Sequence, residues 1–410
     1  MPGLSIPPAL TSLSAAAPST PLGPFVDSAV AWTTWVALMG LVGLIALVLL
    51  AAGPAAARTA PAALPVVTAR LARAAAVLGV LTVPAVLTEL AHGASKSHGY
   101  DYSAAWDALY DGSNAGRLSG LEVTLALAAA VLVAPLAARS VAGGAARPWL
   151  LGAGLAASAA ALGTTKFPTK TPENWGRTSF DTLMWMLHLQ GGGVWLGGLA
   201  GLLLLAAPGA VPAAERRAFW STTVRRFSVT AMSCVAAITL SGLFLYWAHV
   251  DGPSQLITTM YGRVLGVKIL IFGGLLLLGT FNQFWLHPRI EALCDEGDQR
   301  PLVTVLLRRF PLVVAVEVVL GLALLFVAPF LHGSARNQAY QAKAAEQSAT
   351  PIPAKKLPKL AAKQADASTW VWGTAETVAV VALMGGAYRF SGPLARNHTA
   401  AAQAASPLTS

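Results

Sequence analysis

The sequence predicts an all-α polytopic membrane protein of about nine transmembrane helices, with its N-terminus outside. Three observations predict it. First, 55% of the residues are hydrophobic and only 11% are charged, where a soluble domain carries roughly a quarter charged residues. Second, apolar runs of spanning length recur along the chain, leaving no single water-soluble core. Third, arginine and lysine alternate in density between successive connections, as orientation in a membrane requires.

The expected spans lie at about 29–53, 68–92, 119–138, 148–165, 180–207, 227–249, 262–286, 310–331 and 369–388. The fourth is short. Residues 1–28 are rich in Pro, Ser and Ala and read as disordered. The remainder divides into an N-terminal four-helix region over 29–178, a second four-helix region over 179–332, a Pro/Lys-rich linker over 333–368, and a terminal helix with a tail over 369–410. With the N-terminus outside, thirteen arginines fall in inner segments, against six Lys or Arg in outer segments up to the eighth span. The net charge of +10 therefore reads as an orientation signal and an attraction for anionic lipid, not as a nucleic-acid surface. No charged n-region precedes the first apolar run, so no cleaved signal peptide is expected.

The fifth span carries the chemistry. Asp181, Met184, His188, Gly192 and Trp195 share one helical face. Ionisable groups at membrane depth cost roughly 2.5–3.5 kcal/mol on insertion scales, so they mark function or packing. Oxygen, thioether and imidazole together suit a metal, and thioether favours Cu(I). His188 sits about 10 Å into the span at 1.5 Å per residue, and a hydrogen bond to a neighbouring helix is its alternative role. Gly193, Gly197 and Gly201 make two small-xxx-small steps that let another helix approach closely. Met186 points elsewhere and reads as packing.

Neighbouring spans extend the pattern. Thr239, Gly242, Tyr246 and His249 follow helical spacing in the sixth span. Lys268 lies inside the seventh, with Asp181 as its best depth-matched partner. Glu317 in the eighth is expected to meet Asn282 or Arg226. Glu89 and His92 lie one turn apart and read as an interfacial pair. His92, His98, His188, His249 and His332 all fall toward the outer face, with His287 inside and His398 in the tail. Cys234 and Cys294 make no metal-thiolate or disulfide pattern. No Cys-x-x-Cys, HExxH, P-loop or GxGxxG context is present, and the expectation is a protein that is not an enzyme.

His188 followed by Val194-Trp-Leu-Gly-Gly198, then Arg226-Phe-Ser228, Ser241-Gly242, Thr259-Met-Tyr-Gly262, Leu265, Lys268, Asn282, Pro288-Arg289, Glu317 and Gly321, resembles the CopD copper-resistance family over about 180–332. The resemblance implies a bacterial inner-membrane protein that moves copper from the outer face toward the cytoplasm. It implies a separate CopC-like copper-binding protein as donor, and His188 as the main ligand. His249 and His332 are not positions the resemblance calls for. Met184 would assist His188, Asp181 would attract the cation and Lys268 would balance charge. A heme b site is the alternative, because the family is similar to heme-dependent membrane oxidoreductases of the HemJ type. His188 and His249 would be the pair, though about 10 Å of depth separates them. A metal-free scaffold for a larger copper-delivery or respiratory complex is the third reading.

Overall fold

Backbone groups inside a bilayer have no water to bond, so apolar segments of this chain satisfy them as helices. The computed structural model describes residues 25–95, 99–282, 301–347 and 360–404, and these contain helices and turns but no strand. The expected disordered segment up to residue 24 lies outside them, as do His98, His287, Pro288, Arg289 and Cys294.

The helices are α1 (Phe25–Leu47), α2 (Gly53–Thr59), α3 (Leu64–Ala94), α4 (Tyr102–Tyr110), α5 (Asn114–Val133), α6 (Arg139–Ala142) and α7 (Arg147–Thr164). They continue as α8 (Trp175–Ala206), α9 (Ala213–His249), α10 (Gln255–Thr258), α11 (Met260–Phe281), α12 (Pro301–Val327), α13 (Ala335–Gln347) and α14 (Ala367–Ala404). Seven helical segments among the described residues are long and apolar enough to cross a membrane. They correspond to seven of the nine expected spans. α7 and α14 form at the fourth and ninth, but neither is one of the seven.

Local chemistry sets the helix ends. Asp101, Ser113, Asn174 and Thr259 each accept a backbone N–H from the first turn of the helix that follows, which satisfies an otherwise orphan donor. At the opposite end of the bundle, arginines do the complementary work. Arg70 donates to the Leu204, Ala207 and Pro208 carbonyls at the end of α8, and Arg73 donates to Ala137. Cations near helix C-termini also meet a favourable dipole. α1 runs into a π turn at Val48–Ala52, where Pro54 has no N–H to continue the ladder.

α1 is the central helix. It packs against α3 on one side and α8 on another, and it also touches α7 and α12. Its residues Leu38, Leu41, Val42 and Ile45 are fully buried. The α1–α8 crossing is backbone on backbone. A Cβ added to Gly43 would lie 2.3 Å from the Gly193 carbonyl oxygen and 2.4 Å from Gly197 Cα. On Gly197 it would lie 2.6 Å from the Met39 carbonyl oxygen. α9, α11 and α12 complete the wall around α8, with α9 and α12 against α8 and α11 against α12.

Within the stretch expected to be a linker, residues 335–347 form α13. Its Ala, Gln and Lys content favours helix, and its side chains anchor it. Arg336 pairs with Asp251 at 2.8 Å, and Gln338 accepts the Tyr261 N–H at 2.9 Å. The Pro-Ala-Lys-Lys-Leu-Pro-Lys core at 353–359 lies outside the described residues.

Candidate functional site

A cavity of about 380 Å³ opens between α1, α8, α9, α11 and α12. His188 on α8, His249 at the end of α9 and His332 in the turn after α12 all line it. So do Lys166, Lys268, Glu317 and the sulfur-bearing Met39. Trp35, Trp185, Trp195, Tyr261 and Phe272 make much of its wall.

The half-buried imidazoles of His188 and His249 are held in the same way. His188 Nδ1 lies 3.1 Å from Ser241 Oγ. The single Ser241 hydroxyl proton goes to the Ala237 carbonyl at 2.6 Å, so Ser241 accepts and His188 Nδ1–H donates. His249 Nδ1–H donates to the Leu245 carbonyl at 2.8 Å. A carbonyl is only an acceptor, so the tautomer is again fixed. Both rings therefore present an unprotonated Nε2, the arrangement seen when an outer hydrogen bond orients a metal-binding imidazole. Aromatic contacts hold the rings as well. Trp185 meets His188 edge-on at 6.3 Å, and Tyr261 stacks on His249 at 5.9 Å. Gly242 lies against the His188 ring, and a Cβ there would make ordinary contact 3.7 Å from His188 Cε1.

The other expected residues divide. Met184 is half-buried on α8 and does not line the cavity, and Met186 lies against Gly163. The thioether at the cavity is Met39, contributed by α1 through the Gly43–Gly197 crossing and lying beside Gly192. Asp181 is outside the cavity and pairs with Arg177 one turn away at 3.6 Å, so it does not meet Lys268. Glu317 is only 4% exposed, and its Oε1 has no hydrogen-bond partner among the described residues. Arg226 instead donates to the Leu50 carbonyl, and Asn282 closes α11. His92 bonds to Asp27 and Glu89 accepts from Thr34, so they face α1 and not one another. Thr239 Oγ1 is buried without a partner among the described residues. Cys234 is a buried free thiol.

Sequence reasoning passed over Lys166, Trp35, Met39 and Glu122. Lys166 follows α7 and reaches back between two indoles, 5.5 Å from the Trp35 ring and 4.6 Å from that of Trp185. Such cation–π contacts hold an ammonium against an apolar wall. Burial draws its pKa below the usual lysine range, and Glu89 opposes that. Glu122 was legible as the one acid in an otherwise apolar run. Among the described residues no three His, Cys, Asp or Glu side chains converge closely enough to hold a metal ion.

A cover lies over the histidine-bearing end. Asp251 bridges Arg336 and Lys363, and Lys363 also stands 5.4 Å from the Trp247 ring. Arg177 donates to the Lys363 carbonyl.

Residues 221–331 match the family described as copper resistance protein D. This stretch is CopD-like. The chain is 38% identical over 101 residues to copper transport protein CutJ of Bacillus subtilis (strain 168), covering 24% of this chain and 18% of that protein. It is 31% identical over 115 residues to copper resistance protein D of Pseudomonas syringae pv. tomato, covering 28% of this chain and 37% of that protein. The chain thus matches well under half the length of either relative. No solved structure matches. The CopD-like stretch includes α11 and therefore Lys268, together with Ser241, His249 and Glu317. It begins after His188 and Val194-Trp-Leu-Gly-Gly198, so the cavity joins CopD-like helices to α1 and α8.

Proposed function

We propose that this protein carries copper across a bacterial inner membrane, taking it up at the histidine-bearing face and passing it toward the arginine-bearing face. The observation that carries this reading is the pair of imidazoles, each held through Nδ1 and so left with an unprotonated Nε2, that line one aromatic cavity together with a thioether. Imidazole with thioether suits Cu(I). His188 and Met39 are the principal ligands and His249 receives the ion nearer the mouth. His332 stands at the mouth. Asp181 draws the cation toward this end, and Lys268 balances charge within the cavity. Two relatives with copper in their names support the cargo, as does the family match over residues 221–331, which include helices on one side of the cavity. The arginines that gather at the opposite end support the orientation. A CopC-like protein supplying the ion from a separate chain fits a mouth at the outer face.

The test is metal analysis and an absorption spectrum of the purified full-length protein after loading with Cu(I). We expect bound copper and no Soret band. His188→Ala removes most of the binding, Met39→Leu weakens it, and Met184→Leu leaves it unchanged. A Soret band lost together in His188→Ala and His249→Ala replaces this reading with a heme b protein. Neither copper nor heme leaves a scaffold.

A further inference from the structure

We propose that Trp35 and Trp185 form a cage for a singly charged cargo cation beside His188, and that Lys166 fills this cage until the ion displaces it. The Lys166 ammonium stands 5.5 Å from the centre of the Trp35 ring and 4.6 Å from that of Trp185. Both distances fall within the roughly 6 Å over which an indole face attracts a cation. Among the described residues the ammonium has no hydrogen-bond or ion-pair partner, so the two rings are what hold it. Two indoles around an ammonium make a cation site whose occupant the chain itself supplies.

The walls are fixed and the occupant is not. Trp35 lies on α1 and packs against the buried core. Trp185 lies on α8 and meets His188 edge-on at 6.3 Å. Lys166 comes from the turn after α7, which backbone bonds pin: the Lys166 N–H donates to Gly163 at 3.0 Å and the Phe167 N–H to Thr164 at 3.3 Å. The lysine stem itself is four flexible carbons. Residues 167–170 are exposed, so the ammonium reaches water by rotating its own side chain while the backbone stays in place.

Position makes the cargo the displacing ion. Trp35, Trp185, Lys166 and His188 line one cavity, and the Trp185 ring touches both the ammonium and the imidazole. An ammonium there repels a cation approaching His188 and competes with it for the same ring faces. Exchange removes both obstacles. It also swaps one positive charge for another, so the apolar enclosure gains none. A doubly charged ion would leave one extra charge there without compensation, which is costly. The cage therefore selects by charge, which favours Cu(I) over a divalent metal. Only non-covalent contacts change, with no redox step. The choice of copper rests on the proposed function, whereas the cage does not.

The experiment measures Cu(I) affinity of the full chain in detergent, by competition with a chromogenic chelator under ascorbate. Lys166→Met keeps the stem and drops the charge, and it should bind Cu(I) roughly tenfold more tightly than the wild type. Lys166→Gln serves the same purpose if Lys166→Met does not fold. Lys166→Arg retains the charge and should bind no more tightly than wild type. Adding Trp185→Leu to Lys166→Met should abolish the gain, and adding Trp106→Leu, on α4 and outside the cavity, should leave it. Equal or weaker binding by Lys166→Met overturns the displacement, and a gain that survives Trp185→Leu overturns the cage. Ag(I) should compete for the site and Zn(II) should not; competition by both overturns the selection by charge. A wild type that holds no Cu(I) defeats the copper reading, and methylammonium then decides the cage. The indole absorption of Lys166→Ala should shift when methylammonium is added, while that of the wild type and of Lys166→Ala with Trp185→Leu should not. No shift in Lys166→Ala overturns the cage whatever the cargo.

Discussion

Gly43→Ala adds one methyl group at the tightest point of the α1–α8 crossing. The new Cβ would lie 2.3 Å from the Gly193 carbonyl oxygen and 2.4 Å from Gly197 Cα. Ordinary carbon–carbon contact is about 3.5–4.0 Å, so the helices must part by roughly 1 Å, and such a gap forfeits a quarter to a half of each contact it opens. Overpacking of this kind costs about 1–3 kcal/mol, and each 1.4 kcal/mol is about tenfold in an equilibrium constant. Membrane helices associate largely through this packing, because lipid supplies no hydrophobic drive. Met39 stands one turn before Gly43, so separation also withdraws the thioether from the cavity. Reversible unfolding in mixed detergent measures the stability, and copper stoichiometry on the same samples measures the site. The control is Gly273→Ala on α11, where an added Cβ meets nothing within 4 Å and alanine gains about 0.8–1.0 kcal/mol of helix propensity. Gly43→Ala should fall well below wild type while Gly273→Ala equals or exceeds it. Equal stabilities for Gly43→Ala and wild type would refute the close crossing.

Further outcomes follow from the same geometry. Ser241→Ala removes the acceptor that orients His188 and should weaken copper binding by roughly 10–100-fold while the protein still folds; unchanged affinity in a metal titration would show that the ring needs no such support. A cysteine at Ala214, in the first turn of α9 at the arginine-bearing end, should resist membrane-impermeant thiol reagents in intact cells, and labelling there would invert the proposed topology. Asp366 caps α14 with its carboxyl pulled down to about 2, first by the Thr369 hydroxyl and then by the Thr369 N–H. A depressed carboxylate contributes above its unfolded value, here 3.8, and loses that contribution as pH falls through about 2. Amide protection at the start of α14, taken relative to the intrinsic exchange rate at each pH, should therefore hold at pH 5 and fall below pH 4. Asp366→Asn should flatten this dependence, and a pH response that survives the substitution would assign the cap elsewhere.

The all-helical membrane architecture was legible because it follows from composition and run length. A bilayer leaves each apolar run only its own hydrogen bonds, so the run alone sets the helix. The shared face of His188 and Gly192 was legible for a similar reason, since helical period is a local property. Gly193, Gly197 and Gly201 announced a close neighbour without naming it. That neighbour is α1, more than a hundred residues earlier in the chain, and no local pattern encodes such a pairing.

The thioether shows the consequence. Sequence spacing can match His188 only to a methionine on its own helix, which selects Met184. The fold brings Met39 through the α1–α8 crossing and leaves Met184 outside the cavity. Likewise, axial rise sets His188 and His249 about 10 Å apart in depth, yet one cavity reaches both. Lys166 escaped notice because it sits in a turn, and only the placement of Trp35 and Trp185 draws it inward. By itself the sequence determined which long apolar segments are helical, because that depends on neighbours within a turn or two. Which side chains meet in the cavity was decided by tertiary packing, because contact between helices depends on the fit of surfaces far apart along the chain.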